Sequence, residues 1–524
     1  MEIELKLLIA PGAVTAFRRH SLLKKLSLAK PYKQELVSTY FDTPDGYLMH
    51  RHAGLRVRQV EGKLIQTLKA GGRVDSGLHQ RNEWESEVTQ LTPDIAALRL
   101  MVEPASKWAK MLNSAAMSEP LIPLFTTRFQ RSIWLLRLPE GDEVELALDQ
   151  GEIVSGEVDS AGNMSGVPST TSISEIELEL KSGKAGNLFT FALALQETIA
   201  LRVGNMSKAE RGYRLYAPQP FMISKANACN LSDAKTINQG LRAIIENCLA
   251  QIQGNEAGLE YGADTENVHQ MRIGARRLNS ALAIFSEYMP ASDFLRGECK
   301  WLGHQLGTAR DWDVFAGPTL DAVAQVCEGI QPFIPLQKKA TDFAHVGKKN
   351  AIKAIHSSRY ARMLLTLGAY IHGALTEVGS GSPQSSLLKD GNESLRKFAT
   401  VKLEHYQEKL RERGKGLSGL GPAERHQLRI AAKKMRYGLA FFYALYPDKK
   451  VAPYSDALSA LQNTLGYLND ARVAQELLQQ CADGKPDLAT VSGYVSGYLA
   501  AHNKKKLQKL DKQWKKFKQV KQPF

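Results

Sequence analysis

Residues 1–7 read Met1-Glu2-Ile3-Glu4-Leu5-Lys6-Leu7, and the order of charge and aliphatic in this stretch decides how the first part of the chain is built. Strict alternation marks a β-strand, because successive side chains leave opposite faces. Glu2, Glu4 and Lys6 therefore share one face, and Ile3, Leu5 and Leu7 the other. One isolated strand of this kind turns its charges to water, but here the pattern recurs. Leu55-Arg56-Val57-Arg58 puts two guanidiniums on a face, and Thr67 and Lys69 share one. Arg81, Glu83, Glu85 and Glu87 alternate with other residues, Arg131 lies in a further run, and Glu143, Glu145, Ala147 and Asp149 alternate with aliphatics. Glu175, Glu177, Glu179 and Lys181 close the series. Turn signals between these runs predict an antiparallel sheet. Both signs of charge on one face of nearly every strand suit a closed barrel with a polar lumen and an apolar outside covered by helices. Carboxylates hold Mg²⁺ or Mn²⁺ through oxygen, and Arg and Lys hold phosphate oxygens. A mixed ring of both suits a metal–polyphosphate.

Taken in order over residues 1–216, Glu2-x-Glu4-x-Lys6, Tyr40-Phe41-Asp42-Thr43-Pro44, Leu55-Arg56-Val57-Arg58, Leu68-Lys69 and Glu175-Ile176-Glu177 resemble the CYTH family, the triphosphate tunnel metalloenzymes. The resemblance implies an antiparallel tunnel barrel and metal-dependent chemistry on triphosphates. It also carries Lys208, in Ser207-Lys208-Ala209-Glu210-Arg211-Gly212-Tyr213, into the tunnel. Phosphoryl transfer needs neutralised oxygens and an aligned water more than a reactive side chain. On this reading Arg56, Arg58, Lys69, Arg131 and Lys208 bind phosphate oxygens, and Glu2, Glu4, Glu175 and Glu177 hold Mg²⁺ or Mn²⁺. Glu85 and Asp149 complete the shell, and Lys6 binds phosphate or tunes Glu4, which makes Lys6, Glu85 and Lys208 the candidate catalytic residues. Glu179 shares strand parity with Glu175 and Glu177 and stays in the candidate metal set. The family also includes adenylate cyclases and thiamine triphosphatases, for which Tyr40, Tyr47 and Trp84 are the available rings.

Between these strands the pattern predicts a helix over residues 11–30, a hairpin turn at Glu61-Gly62, a Gly-rich loop over 71–77 and amphipathic helix over 92–118. A Gly/Ser/Thr-rich excursion over 155–171 and a helix over 187–200 follow. His50 and His52 flank Arg51 without a third ligand beside them.

Ala217-Pro218-Gln219-Pro220 opens a linker, residues 217–230, beyond which the pattern is helical. The second half is duplicated. His269, Arg272, Arg276 and Asn279 recur as His426, Arg429, Lys433 and Arg436, 157 residues later throughout. One position earlier runs an apolar stripe, so each helix has a core seam beside a basic face. LGHQLGTARDWDV at 302–314 is echoed by LQNTLGYLNDARV at 461–473, with Asp311 matching Asp470. These residues resemble a CHAD domain over about residues 231–520, an all-helical module of two similar bundles. The copies are assigned to 231–378 and 387–520 within a domain 231–524, joined through Gly379-Ser380-Gly381-Ser382-Pro383. The resemblance implies polyphosphate binding, by His269, Arg272, Arg276, His426, Arg429, Lys433 and Arg436. Asp311 and Asp470 are expected to pair with basic residues. The tail 504–521 is Lys-rich, with Leu507, Leu510, Trp514 and Phe517 on one side.

A formal net charge of +14 points to an anionic partner. Five cysteines, none in a CxxC, suit free thiols in a reducing cytosol. The early charges lead us to expect no signal peptide, no apolar run is long enough to span a bilayer, and a cytoplasmic location is expected. The expected architecture is multi-domain α+β: a β tunnel barrel with flanking helices, then an all-α domain of two duplicated bundles. The expected activity is metal-dependent hydrolysis of inorganic triphosphate in the tunnel, with inorganic polyphosphate held by the helical half. The alternatives are a non-catalytic polyphosphate binder, or an enzyme acting on an organic triphosphate. Every proposed tunnel group precedes the linker, so residues 1–216 are expected to be self-sufficient. No specific nucleic-acid signal is present.

Overall fold

The computed structural model describes residues 1–158, 164–289, 291–326, 333–373 and 389–524. The chain forms two compact units, Met1–Pro220 with Ser357–Val378, and Phe221–His356 with Gly379–Phe524.

Nine strands make the first unit: β1 Glu2–Ile9, β2 Tyr32–Asp42, β3 Ala53–Val60, β4 Lys63–Asp75, β5 Leu78–Val88, β6 Ile122–Arg137, β7 Glu143–Val158, β8 Met164–Ser182 and β9 Leu201–Val203. Their order is β5-β4-β3-β2-β6-β7-β8-β1-β9, and β5 also pairs with β1, which closes the first eight into an antiparallel barrel. The short β9 adds to the far end of β1. Closure leaves the charged face of each strand inside. Leu5, Leu7, Leu146, Leu148, Ile176 and Leu178 point outward into a core shared with the flanking helices. Glu61 and Gly62 both have positive φ, 48° and 81°, the geometry of a two-residue hairpin turn that matches strand twist.

Five expectations need correction. The helix expected over residues 92–118 is three pieces, Ile95–Met101, Lys107–Leu112 and Ala115–Ser118, because Ser106 caps a new start by accepting from the Ala109 amide. The helix expected over residues 11–30 is broken into Pro11–Ala13, Val14–Arg18 and Ser21–Leu26, because the His20 ring accepts from the amide of Leu22 and starts a new helix. The Gly-rich run 71–77 is not a loop. It lies largely within β4, where Gly71 and Gly72 take positive φ at a register shift, and the chain reverses at Ser76-Gly77. The excursion expected at 155–171 is largely strand, β7 and β8 continuing pairing beyond Ser155, with residues 159–163 outside the described set. Finally, the helix Ser358–Ile371, assigned by sequence to the first helical copy, belongs to the barrel unit, where it packs on the helix Ala185–Gln196 and β9. Residues 1–216 are therefore not the whole of that unit.

The second unit is helical. Its two copies meet symmetrically at their first helices, Ile237–Gln253 and Leu395–Arg413. The Ile237 amide donates to the Glu393 carbonyl at 3.1 Å, and the Leu395 amide donates to the Lys235 carbonyl at 3.0 Å. Such reciprocal exchange marks a two-fold relation, here between halves of one chain. Trp312, Phe315 and Leu336 of the first copy share a core with Ala471, Leu477, Val491 and Val495 of the second. The last helix, Ala489–Gln519, buries Leu510, Trp514 and Phe517 while its lysines remain outward, so the Lys-rich tail is part of the bundle. Cys229, Cys248, Cys299 and Cys481 are buried free thiols; Cys327 and the 379–383 joint lie outside the described residues.

Candidate active site in the tunnel

Strand register builds the site. Asp149 on β7 stands opposite Arg131 on β6 and Glu175 on β8, while Glu177 stands opposite Lys6 on β1. Asp149, Glu175 and Glu177 thus converge, with one oxygen from each within 4.8 Å of the others, the one such acidic, His or Cys group among the described residues. Arg131 grips Asp149 with two parallel bonds of 2.7 Å and reaches Glu177. Lys6, 1 % exposed, donates to Glu175 at 3.1 Å and also pairs with Glu177.

The remaining cations come from the helix Lys208–Tyr216, which packs across β6, β7 and β8. Its start is fixed by a capping box: the Ser207 side chain accepts from the Glu210 amide, and the Glu210 carboxylate accepts from the Ser207 amide. Gly212 lets the helix approach, since a Cβ there would lie 2.0 Å from the Phe125 ring. Lys208 then reaches Asp149 and Glu175 at 2.6 Å and Glu177 at 2.9 Å. Arg211, one turn on, pairs with Glu175. Burial pushes the Glu175 and Glu177 carboxyls up, but Lys208 and Lys6 outweigh it for both, helped by Arg211 at Glu175 and Arg131 at Glu177, and hold both below the usual range.

Nearer the β1 start, Lys69 binds Glu2 at 2.6 Å and Glu83 at 3.2 Å. Glu85 accepts from Thr67 at 2.7 Å and remains half-exposed. Glu179 pairs with Lys181 at 2.7 Å and does not join the cluster of Asp149, Glu175 and Glu177. Burial raises the Glu179 carboxyl, and Glu2 and Glu145 add to this against Lys181.

Two guanidiniums stand apart. Arg58 makes no ion pair among the described residues; its Nε donates to Ser38 at 3.2 Å. Burial, then Arg56 and Arg131, lower it to about 9. Arg56 lies only at the edge of reach of Glu83 and Glu85, 4.0 and 3.9 Å away. Tyr40 lies between them: burial raises its phenol, but Arg56, Arg58 and Lys208 reverse this and the net shift is downward.

As a metal site, the interior carboxylates offer oxygen donors, ionised at neutral pH where a shift downward is resolved, which suits Mg²⁺ or Mn²⁺; the buried imidazole opposite Glu4, His79, donates from Nε2 to the Gly204 carbonyl at 3.0 Å. Lys6, Lys208, Arg131 and Arg211 already balance Asp149, Glu175 and Glu177. Glu2, Glu4, Glu83, Glu85, Glu145 and Glu179, by contrast, outnumber Lys69, Arg56, Arg58 and Lys181 beside them. Excess negative charge therefore lies on the Glu2 and Glu4 side. His50 and His52 enter no ligand cluster among the described residues.

In the helical unit, the duplicated stripes on Glu266–Ile284 and Pro422–Phe442 come together. Burial lowers Lys433 to about 7, followed by Arg276, Arg429 and Arg272. Burial also lowers Arg276 and Arg429, and Arg272 lowers both further. Arg272 donates to Asp311 at 2.9 Å in the first copy, and Asp470 faces Arg429 and Lys433 in the second. His269 borders this cluster, held down by burial and then Arg310. His426 is exposed, and the Arg436 guanidinium lies over the Tyr437 ring at 5.5 Å.

Residues 1–213 match the CYTH domain model and residues 243–479 the CHAD domain model. The chain joins a CYTH domain to a CHAD domain. A protein named inorganic triphosphatase from Haemophilus influenzae is 36% identical over 219 residues, 42% of this chain. The chain spans only 56% of that relative's length. Among solved structures, the CHAD domain from the plant Ricinus communis is 32% identical, with a TM-score of 0.48, covering 59% of this chain and 99% of its own. A putative adenylyl cyclase from Hippeastrum, described as having a dominant triphosphatase activity, is 20% identical, with a TM-score of 0.28 and coverage of 40% and 93%.

Within the CYTH domain, the structure brings Lys6, Arg131, Asp149, Glu175, Glu177 and Lys208 into one cluster and sets Glu2, Glu4, Lys69, Arg56, Arg58, Glu85 and Glu179 around it. Sequence reasoning undervalued Arg211. Its signal was its spacing, three residues beyond Lys208 on a helix, which puts both on one face. Ser38, which holds Arg58, shares strand parity with Tyr40 and was likewise overlooked.

Proposed function

We propose that the CYTH domain hydrolyses inorganic triphosphate to diphosphate and phosphate, and that the CHAD domain binds inorganic polyphosphate. The observation that carries the first reading is Arg58, a half-buried guanidinium with no carboxylate in ion-pair reach among the described residues, beside Arg56, itself weakly paired. Drawing such cations out of water without a partner is costly, and a polyanionic substrate supplies what they lack. Arg56, Arg58 and Lys69 bind phosphate oxygens, while Arg131 and Lys208 exchange part of their contact with Asp149, Glu175 and Glu177 for the transferred group. Glu2 and Glu4, with oxygens of the deep carboxylates, would hold a divalent ion. When bound, that ion neutralises phosphate oxygens and helps align the attacking water. Glu175 and Glu177, held below the usual range, are weak proton acceptors and act through charge and orientation. Water adds to a terminal phosphorus, the bridging P–O bond breaks, and diphosphate leaves. The relative's name, inorganic triphosphatase, supports this choice of chemistry.

The rings considered for an organic substrate favour the inorganic one. Tyr47 and Trp84 belong to the apolar cluster with Leu48, Leu98 and Leu112 outside the tunnel. Tyr40 faces inward but is stacked on Phe125 at 4.6 Å and 5% exposed. None offers a free face for stacking. Phosphate release from triphosphate, ATP and thiamine triphosphate, each with Mg²⁺ and with Mn²⁺, tests the reading. Release from triphosphate well above the other two is expected; no release with either metal would leave the non-catalytic polyphosphate binder.

A further inference from the structure

The helix Ser358–Ile371 lies, in sequence, inside the helical half, yet its side chains complete the core of the barrel unit. Leu365 and Ala369 are fully buried there with Leu188, Phe189, Leu195 and Leu201. Gly368 meets the Phe189 ring so closely that a Cβ would lie 2.2 Å from it. Gln196 donates to the Ser358 carbonyl at 3.0 Å. Just past the helix, His372 stacks on Phe189, with ring centroids 5.4 Å apart, and its Nε2 lies 3.4 Å from Asp75.

Both contacts lead to Lys6. Its amide donates to the Gly77 carbonyl at 2.9 Å, and Gly77 belongs to the turn that begins at Asp75. Its carbonyl accepts from Gly204 at 2.9 Å, and Gly204 follows β9, on which the helix packs. The backbone of Lys6 is thus clamped between two segments that the same helix backs. We propose that residues 357–373 are a positioning element of the tunnel: they hold the Asp75–Gly77 turn and β9, and through them fix Lys6 against Glu175 and Glu177. The catalytic consequence rests on the triphosphatase reading above; the structural one does not.

The test uses the full chain. Gly368→Ala forces a methyl into Phe189, and Gly368→Ala with Phe189→Leu makes room for it. His372→Ala removes the Asp75 contact while leaving the helix. Amide hydrogen exchange at Lys6 and Gly204 reads the clamp directly, whatever the substrate. Exchange at both amides should quicken by about tenfold or more in Gly368→Ala. It should quicken by less in His372→Ala and return towards the parent in the double variant. Triphosphate kcat should fall with Lys6 protection while KM changes little, and polyphosphate binding should be unchanged. Unaltered protection of Lys6 and Gly204 in both single variants would overturn the proposal. Loss of protection without loss of kcat would uphold the clamp and remove Lys6 from the chemistry.

Discussion

At the scale of the residue, the tunnel is a set of ion pairs waiting to be exchanged. Glu4 differs from its neighbours. Its nearest cation is Lys6 at 3.7 Å, which is already engaged with Glu175 and Glu177, so its carboxylate is held loosely and is free to take a metal. Glu4→Gln keeps the shape and removes the charge. It should lower turnover by about 100-fold or more with an unchanged melting temperature, and full activity in the folded variant would remove Glu4 from the metal site. Arg58 gives a second test. Burial, Arg56 and Arg131 oppose its charge in the free protein, and a bound triphosphate removes that opposition, so a change at Arg58 should be felt in triphosphate affinity. Arg58→Lys should weaken binding at neutral pH, because a point charge does not replace a forked donor. Isothermal titration at neutral pH compares the two proteins.

Elements decide which of these residues can meet. Alternation in β1, β3, β7 and β8 was legible from the sequence because a half-buried strand has a two-residue period, and the inward parity of Glu2, Glu4, Lys6, Arg56, Arg58, Asp149, Glu175 and Glu177 follows from it. Parity does not give register. That Asp149 faces Glu175, leaving Glu179 opposite Glu4, depends on how far each strand slides before its turn, and no local residue encodes that slide. The same limit hid the end of β4, where two glycines read as a loop but form a kink within a strand. Likewise, the helix Ser358–Ile371 carries an ordinary apolar pattern that says nothing about which core it enters. Lys208 was carried into the tunnel by resemblance, and the capping box of the helix Lys208–Tyr216 explains why that helix starts where it does. Ser207→Ala should cost about 1 kcal/mol in urea unfolding. It should also reduce triphosphate turnover, because Lys208 is the first residue after the cap. A stability loss with unchanged turnover would mean that Lys208 finds the carboxylates without it.

For the whole molecule, the duplication matters more than the net charge. The first helices of the copies exchange backbone hydrogen bonds, and the two basic stripes face each other, so Arg272, Arg276, Arg429 and Lys433 act as one cluster. Removing residues 504–524 is not a neutral control for the tail, because Leu510, Trp514 and Phe517 are core; Lys→Gln changes at its exposed positions are. Polyphosphate bound by the cluster should show affinity that falls steeply with salt, through release of counterions condensed on the chain. It should also show a pH dependence that a solvated lysine tail lacks. Lys433 titrates near 7 when the cleft is free; an anion beside it favours the charged form, so binding takes up a proton. Affinity should then fall as pH rises above about 7, by up to about tenfold per pH unit, until the raised value in the complex is passed. Lys433→Arg, charged throughout, should remove this dependence while keeping the salt response, and Arg272→Gln or Arg429→Gln should weaken binding by comparable amounts. If affinity is flat from pH 6 to 8 and the tail variants carry most of the loss, the polyphosphate is held by the tail and the paired stripes are only a charged surface.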